Sequence, residues 1–239
     1  MLPKYKAKLR RKEEIANDTM AFYWEKPQGF TFKAGQYCDM TLIKPKMTDE
    51  EAKERAFSMA SAPYEEEVMT ATRISDSAFK QMLEDFTVGT EVKFDEPRGE
   101  FTLHETETTP AVFIIGGIGI TPVRSIIAQA THDQLTHKLT LLYSNETPVD
   151  SAFMDDLKGF AEKNSNFTYV PVMTDTEPNE WSGESGLIDA DMLKRNVSDI
   201  STPIYYLCGP PDMVKDMHQM LVDTGVDENN IRIEEFSGY

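Results

Sequence analysis

The rhythm of polar and apolar positions changes near residue 104. Ahead of it, Lys4-Tyr5-Lys6-Ala7-Lys8-Leu9-Arg10 alternates with a period of two, setting lysine and arginine on one side and Tyr5, Ala7 and Leu9 on the other. That is the pattern of a half-buried strand. Further short strands are predicted over 19–24, 36–43, 55–60, 68–73 and 91–95, with Gly29, Gly35, Pro45, Pro63, Gly89 and Pro97 marking the turns between them. Six short strands in about a hundred residues predict a small antiparallel barrel, a form that closes on itself and so leaves no exposed edge. One helix interrupts this half: Phe79, Met82, Leu83 and Phe86 recur at helical spacing, with Ser75, Asp76 or Ser77 available to cap it.

Beyond Pro110 the grammar is different. Ala111-Val112-Phe113-Ile114-Ile115 is an unbroken apolar run, as expected of a parallel strand buried on both faces. Similar runs fall at 139–143, 169–173, 204–208 and 231–236. Between them lie helical patterns over 122–130, 151–163 and 211–223, the last with Met213, Met217, Met220 and Leu221 on one face. Strands alternating with helices predict a doubly wound α/β domain. The polar stretch 104–109 is the predicted joint.

Charge and cysteine content narrow the class. The 239 residues carry 24 basic and 41 acidic side chains, a formal net charge of −17. Such a field repels nucleic-acid backbones and anionic lipid surfaces, so neither is an expected partner. No apolar stretch approaches the ~18 residues of a membrane span, and the N-terminus has no hydrophobic signal core, so the expected location is cytoplasmic. Two cysteines, Cys38 and Cys208, are too few for a disulfide framework, a four-thiolate zinc site or a plant-type iron–sulfur cluster. The four histidines lack ligand spacing, and no metal is expected.

Three motifs carry chemistry. Gly116-Gly117-Ile118-Gly119-Ile120-Thr121-Pro122 follows the first buried strand of the second half. Its glycines allow a ligand close to the backbone, and Thr121 as cap with Pro122 at the first helical position would turn free amides toward an anion. Cys208-Gly209-Pro210-Pro211 forms a rigid corner at the end of a later strand, where open α/β sheets bind ligands. Arg55-Ala56-Phe57-Ser58 places a cation and an aromatic on one face of a barrel strand and a hydroxyl on the other. Arginine can clamp a phosphate, and a phenyl ring can stack on a flat cofactor. Singly, each motif also reads as ordinary packing.

In this order, an Arg-x-aromatic-Ser strand, a Gly-Gly-x-Gly-x-Thr-Pro turn and a Cys-Gly-Pro-Pro corner resemble the ferredoxin–NADP reductase family of flavoproteins. The resemblance extends to Gly35-Gln36, to Pro97-Arg98-Gly99-Glu100-Phe101 and to Glu235-Phe236. It implies an N-terminal antiparallel β-barrel binding FAD over 1–104 and a C-terminal α/β doubly wound parallel sheet binding NAD(P) over 110–239. By similarity, Arg55 binds the FAD pyrophosphate, Phe57 stacks on the isoalloxazine and Ser58 hydrogen-bonds near its central nitrogen. The family usually has tyrosine in place of Phe57, so a phenolic hydrogen bond is lost. Arg73 with Ser75 and Ser77 resembles a second pyrophosphate contact, although Ile74 stands where the family often has glycine and both serines also read as plain caps.

The same resemblance assigns Gly117, Gly119 and Thr121 to the nucleotide pyrophosphate. It places Cys208, with Gly209 and Pro210, beside the nicotinamide, where the thiol orients the ring and forms no covalent bond. Tyr239 would gate the flavin face, with Phe236 as the rival for that role and a frayed terminus as the plain alternative. Glu146 follows the second sheet strand where relatives often have arginine for the adenosine 2′-phosphate, so NADH is expected over NADPH. The implied function is an FAD-dependent oxidoreductase that takes hydride from NADH or NADPH and passes electrons to a separate acceptor, such as a ferredoxin or flavodoxin. Alternatives are a flavin reductase acting on free flavin, an electron-transfer subunit of a larger complex, and a nucleotide-binding module without flavin. The N-terminal lysines read as protection of an edge strand, or as a face that receives an acidic electron carrier.

Overall fold

The computed structural model describes residues 5–43, 53–176 and 181–236. Tyr239 lies outside the described residues. The chain divides into two compact units, Met1–Thr102 with Thr121–Gln129, and Leu103–Ile120 with Ala130–Tyr239.

The first unit is a six-stranded antiparallel sheet built from β1 (Tyr5–Ala16), β2 (Thr19–Glu25), β3 (Tyr37–Leu42), β4 (Glu54–Ser58), β5 (Glu67–Arg73) and β6 (Glu91–Phe94), in the order β4-β3-β6-β1-β2-β5. The sheet curls toward closure. Just past β4, the Ala60 amide donates to the Met69 carbonyl of β5 at 2.7 Å, and the Met69 amide returns a bond to Ser61 Oγ at 2.9 Å. Inside lie Phe22, Trp24, Phe30, Met40, Phe94 and their neighbours, and Trp24 Nε1 satisfies itself on Thr70 Oγ1. Each such ring or branched side chain contributes ~1.5–3 kcal/mol through burial.

β1 pairs with β6 over residues 5–8 and with β2 over residues 9–16, so it links the two flanks of the sheet. Lys6 and Lys8 are exposed in the stretch paired with β6, with Lys8 near Glu91 and Arg10 near Glu25. The helix α1 (Ala78–Glu84) buries Phe79 and Leu83 into this core, as its periodicity predicts.

The second unit is an all-parallel sheet of β7 (Ala111–Gly116), β8 (Leu139–Asn145), β9 (Phe167–Met173), β10 (Glu184–Ser185), β11 (Ile204–Gly209) and β12 (Ile231–Glu235), ordered β10-β9-β8-β7-β11-β12. Every residue of β7 is buried, which accounts for its continuous apolar run. α2 (Ile120–His132) follows β7, α3 (Met154–Lys163) follows β8, α4 (Ala190–Asn196) follows β10 and α5 (Pro211–Asp223) follows β11. Among the described residues, no helix is long and apolar enough to cross a membrane.

The start of α2 differs from expectation. Gly117–Gly119 winds as a 3-10 turn and runs directly into α2 at Ile120. Thr121 is therefore a buried residue inside the first helical turn, not the cap, and Pro122 sits one position further in. Glycine without side-chain bulk lets the chain tighten before the helix proper begins, and this moves the helix boundary toward the strand.

Candidate functional site

In the second unit the strand order reverses between β7 and β11. From β7 the chain steps outward through β8 and β9, then returns to place β11 on the opposite flank. The carboxyl ends of the two strands on either side of such a reversal form the ligand crevice of an open α/β sheet. The glycine turn after β7 and the Cys-Gly-Pro-Pro corner after β11 both lie there.

Backbone approach sets the geometry of this crevice. A Cβ on Gly119 would lie 2.7 Å from the Cys208 carbonyl oxygen and 2.9 Å from the Gly209 nitrogen. Only glycine lets the turn pack against the corner. Gly209 has φ +154, and a Cβ there would meet the backbone of Gly116 at 3.1 Å. Tyr143 Oη, from the neighbouring strand, donates to the Gly117 carbonyl at 3.1 Å and braces the turn from below. Phe236, at the end of β12, donates its amide to the Gly209 carbonyl. Gly117, Gly119, Cys208, Gly209, Pro210 and Phe236 are thus gathered at one end of one sheet.

Cys208 is fully buried, and burial followed by the nearby Glu234 charge pushes its thiol well above the usual range. It remains a neutral thiol, so its contribution is shape rather than nucleophilic attack.

At the carboxyl end of β8, Asn145 is buried, and neither its side-chain Oδ1 nor its Nδ2 has a hydrogen-bond partner among the described residues. A buried amide left unpaired costs ~1–3 kcal/mol. Its donor and acceptor suit a vicinal pair of hydroxyls, and the end of the second strand is where dinucleotide folds read the ribose. Glu146 is exposed directly after it. Asn145 has no signature in sequence beyond its neighbour.

In the first unit, Arg55 pairs with Met40 and Phe57 with Cys38, but burial along β4 does not alternate: Arg55 and Ala56 are exposed, whereas Phe57 and Ser58 are both buried. Phe57 pairs across the sheet with the buried Cys38 and is 8% exposed, its ring 5.9 Å from Phe79. The Arg55 guanidinium lies 5.8 Å over the same Phe79 ring. Phe79 therefore joins the Arg55 strand to the segment that begins α1, and the stacking surface expected of Phe57 is largely covered. Ser77 caps α1 by position, yet its hydroxyl makes no capping bond. Ser75 is half-buried, and Arg73 ends β5 opposite Thr19. Lys80, one turn into α1, has its pKa lowered by burial and then by the Arg73 charge, so α1 brings together two cations that sequence spacing alone does not pair.

A cleft on the outer face of β1, β2 and β5, lined by Arg10, Arg11, Glu25, Lys26 and Glu67 among others, contains none of the expected site residues. Within it Arg11 pairs with Glu13 and Glu67, and Arg10 with Glu25. Among the described residues no cluster could hold a metal ion.

Comparison with known proteins fits this geometry. The family described as "Oxidoreductase NAD-binding domain" matches residues 113–219, from β7 through most of α5. The reductase component of propane 2-monooxygenase from Rhodococcus jostii is 30% identical over 218 residues, which cover 88% of this chain and 57% of that protein. One component of the Na(+)-translocating NADH-quinone reductase from Pasteurella multocida is 31% identical over 200 residues, 77% of this chain and 49% of that component. The chain thus spans about half the length of the curated relatives it matches. Among solved structures, a ferredoxin NADP+ reductase from Neisseria gonorrhoeae with bound FAD and NADP superposes with a TM-score of 0.81 at 25% identity, covering 97% of this chain and 98% of that one. The FAD/NAD-binding domain of a nitric oxide dioxygenase from Vibrio cholerae shares the fold, with a TM-score of 0.84, 21% identity and coverage of 97% and 98%. With a strand reversal lined by interlocked glycines and an antiparallel six-stranded unit ahead of it in sequence, the chain is similar in fold and in these matches to the ferredoxin–NADP reductase-like flavoprotein oxidoreductases, and its residues 113–219 match the oxidoreductase NAD-binding domain.

Proposed function

We propose that this chain is an FAD-dependent NAD(P)H oxidoreductase that receives hydride from a nicotinamide nucleotide and passes electrons to a separate acceptor. The reading assigns FAD to the barrel, residues 1–104, and the nucleotide to residues 110–239. The observation that carries it is the crevice at the β7/β11 reversal, where Gly119 and Gly209 are required by backbone contacts under 3.2 Å. These glycines let the two turns pack backbone to backbone at the strand ends, and the main-chain amides leading into α2 there suit a pyrophosphate.

In this reading Gly117, Gly119 and the amides leading into α2 hold the nucleotide's phosphates, with Thr121 packing beneath them. Cys208, Gly209 and Pro210 form the wall against the nicotinamide, and the gate over the flavin face is assigned to Tyr239, with Phe236 as its rival. Asn145 pairs with ribose hydroxyls, and the Glu146 carboxylate beside it repels a 2′-phosphate, which favours NADH. Arg55, Arg73 and Lys80, with the hydroxyls of Ser75 and Ser77, present positive charge and donors to the FAD pyrophosphate. Phe57, backed by the buried Phe79, gives the ring system the apolar edge it leaves open, and Ser58 supplies a hydroxyl. The flavin, when bound, supplies two-electron acceptance and one-electron release; the protein supplies alignment and exclusion of water.

The acceptor is a small molecule or another protein. Sharing half the length of a monooxygenase reductase component and of a quinone reductase component supports a second reading, a reductase module that serves a partner protein. The proposed location is cytoplasmic. Reconstitution with FAD, gel filtration and steady-state kinetics with ferricyanide test the assignment. Retained flavin and a higher kcat/KM for NADH than for NADPH are expected. Flavin that elutes free and turns over as a substrate supports a flavin reductase instead, and a higher kcat/KM for NADPH contradicts the role given to Glu146.

A further inference from the structure

The polar stretch that pattern alone makes a bare joint is held down. Residues 103–109 belong to the second compact unit, and three sets of contacts fasten them to it. The His104 amide donates to Tyr206 Oη of β11 at 3.0 Å, and the His104 ring meets the same oxygen through Nδ1 at 3.0 Å. His137 Nε2, just ahead of β8, lies 2.9 Å from the His104 carbonyl oxygen. Glu107 Oε2 accepts from the Thr136 amide at 2.9 Å and from its hydroxyl at 2.6 Å. Within the segment, His104 Nε2 reaches the Thr109 carbonyl at 2.9 Å. Both imidazoles are buried and meet edge to face, with 4.9 Å between centroids.

Counting donors and acceptors fixes the charge state of this cluster. The Tyr206 oxygen takes N–H bonds from the His104 amide at 3.0 Å and from Arg232 Nη1 at 3.1 Å, which occupies its lone pairs. The tyrosine's own proton is left for His104 Nδ1, so that nitrogen is a bare acceptor. The partner of Nε2 is a carbonyl, so Nε2 carries the hydrogen and His104 is neutral. His137 gives its Nε2 hydrogen to the His104 carbonyl for the same reason, and its Nδ1 is buried with no partner among the described residues. A proton added to His104 Nδ1 would face an oxygen whose acceptor sites are taken and would displace the tyrosine's bond. A proton added to His137 Nδ1 would bury a donor without an acceptor. Either event sacrifices a buried hydrogen bond or its equivalent in desolvation.

We propose that His104 and His137 form an acid-released clasp, closed over residues 103–109 while both rings are neutral and opened when either takes up a proton. The clasp lies wholly in the second unit and does not depend on the function proposed above. Burial is the main cause of a lowered His104 pKa, and the charges of His137 and of Arg232 on β12 lower it further, against the Thr109 and Thr106 bonds. Burial also keeps the Tyr206 hydroxyl protonated. Glu107, which attracts a charged His137, is exposed to screening by water, and its Thr136 bonds hold it below the ordinary carboxylate range, so it stays ionised as the rings titrate. The clasp is therefore full above the ordinary imidazole pKa near ~6.5 and weakens as pH falls below it, because the open form accepts the proton and the closed form resists it.

Amide hydrogen exchange of the full chain at pH 7.5 and pH 5.5, corrected for the intrinsic pH dependence of exchange, reads the clasp directly. The amides to follow are His104 and Thr109, bonded to Tyr206 Oη and to the Thr106 carbonyl, with residues 112–115 of β7 as the internal reference. Both should exchange faster than the β7 amides, since the segment opens on its own. Their protection should fall by about tenfold between the two pH values, the change produced by one proton that only the open form takes up near pH ~6.5. The pH dependence should vanish in H104Q/H137Q, and Y206F should bring the exchange at pH 7.5 close to the acid value. The clasp is overturned if protection in the parent changes by less than about twofold. It is likewise overturned if His104 and Thr109 match the β7 amides at both pH values, since the segment then opens only with the whole unit. A pH dependence that persists undiminished in a folded H104Q/H137Q protein overturns the role of the two histidines.

Discussion

The two candidate binding regions are built from different materials. At the end of β7 and β11, the second unit uses backbone: interlocked glycines, a buried thiol and two prolines, with the nearest carboxylates outside the turn. On β4 and α1, the first unit uses side chains: Arg55 and Phe57 around Phe79, with Arg73 and Lys80 close by. A backbone site is fixed as soon as the sheet forms, because any larger residue would collide with it. A side-chain site can be covered, and Phe57, packed beside Phe79, is largely covered here. The comparison teaches that the candidate nucleotide crevice is fixed by backbone contacts, whereas the candidate flavin surface is set by side chains of β4 and α1.

Substitutions can sharpen this contrast. The largest effect is expected from Phe57→Ala, which empties a place in the first unit's core and should cost ~3–5 kcal/mol in chemical denaturation. Near-unchanged stability would mean that Phe57 faces a ligand rather than the core. Next comes Gly119→Val, whose Cβ would strike the Cys208 carbonyl. It should cost up to ~3 kcal/mol and remove NADH binding in fluorescence titration while flavin is retained. Wild-type affinity in that variant would break the claim of a crevice fixed by backbone contacts. Arg55 is exposed, so Arg55→Ala should leave the melting temperature nearly unchanged and weaken FAD binding by ~1.5–3 kcal/mol, read by flavin release on dilution.

A fourth prediction concerns pH and the second unit alone. His104 accepts at Nδ1 from the Tyr206 hydroxyl and donates from Nε2 to the Thr109 carbonyl, both near 3 Å. The Tyr206 oxygen also takes bonds from the His104 amide and from Arg232, while His137 Nε2 reaches the His104 carbonyl. Burial is the main cause of a lowered His104 pKa; the charges of His137 and Arg232 lower it further, against the Thr109 bond. The folded state thus favours neutral imidazole, whereas the unfolded chain takes up a proton near pH ~6.5. Stability is full above that value and falls as pH drops below it, by up to ~1.4 kcal/mol per pH unit, until the folded-state pKa is reached. Urea denaturation at pH 7.5 and pH 5.5 should show the loss, and His104→Gln should flatten it; an equal slope in both proteins would contradict the assignment. The smallest effect is expected from Glu146→Gln, which should raise kcat/KM for NADPH relative to NADH by a few-fold, on the order of 1 kcal/mol for one exposed charge.

Much of the architecture was legible from local pattern. The unbroken apolar run of β7 announced a strand covered on both faces, and α5 falls at the residues its spacing predicts. α4 escaped notice because it is seven residues long and buries only Met192 and Leu193, too few to show a period. The true start of α2 was hidden because glycines carry no hydrophobic signal, so the tightening at 117–119 left no trace. Of the site, residues in contiguous motifs could be named in advance. Phe79, Lys80 and Asn145 could not, nor could the His104–Tyr206 pair of the clasp, since their meaning depends on contacts across long sequence separations, 102 residues in the last case. The pairing of β1 is the plainest example: residues 5–8 run beside β6 and residues 9–16 beside β2, and a row of lysines says nothing about which neighbour each stretch takes.

The central claim is that a nicotinamide held at the β7/β11 crevice delivers hydride directly to FAD held by the barrel. Its most direct measurement is anaerobic rapid mixing of the FAD-loaded protein with NADH and with NADH deuterated at the transferring C4 position, followed at the flavin band near ~450 nm. The account predicts saturable bleaching that slows with the deuterated nucleotide. A flavin that remains oxidised under excess NADH would contradict it.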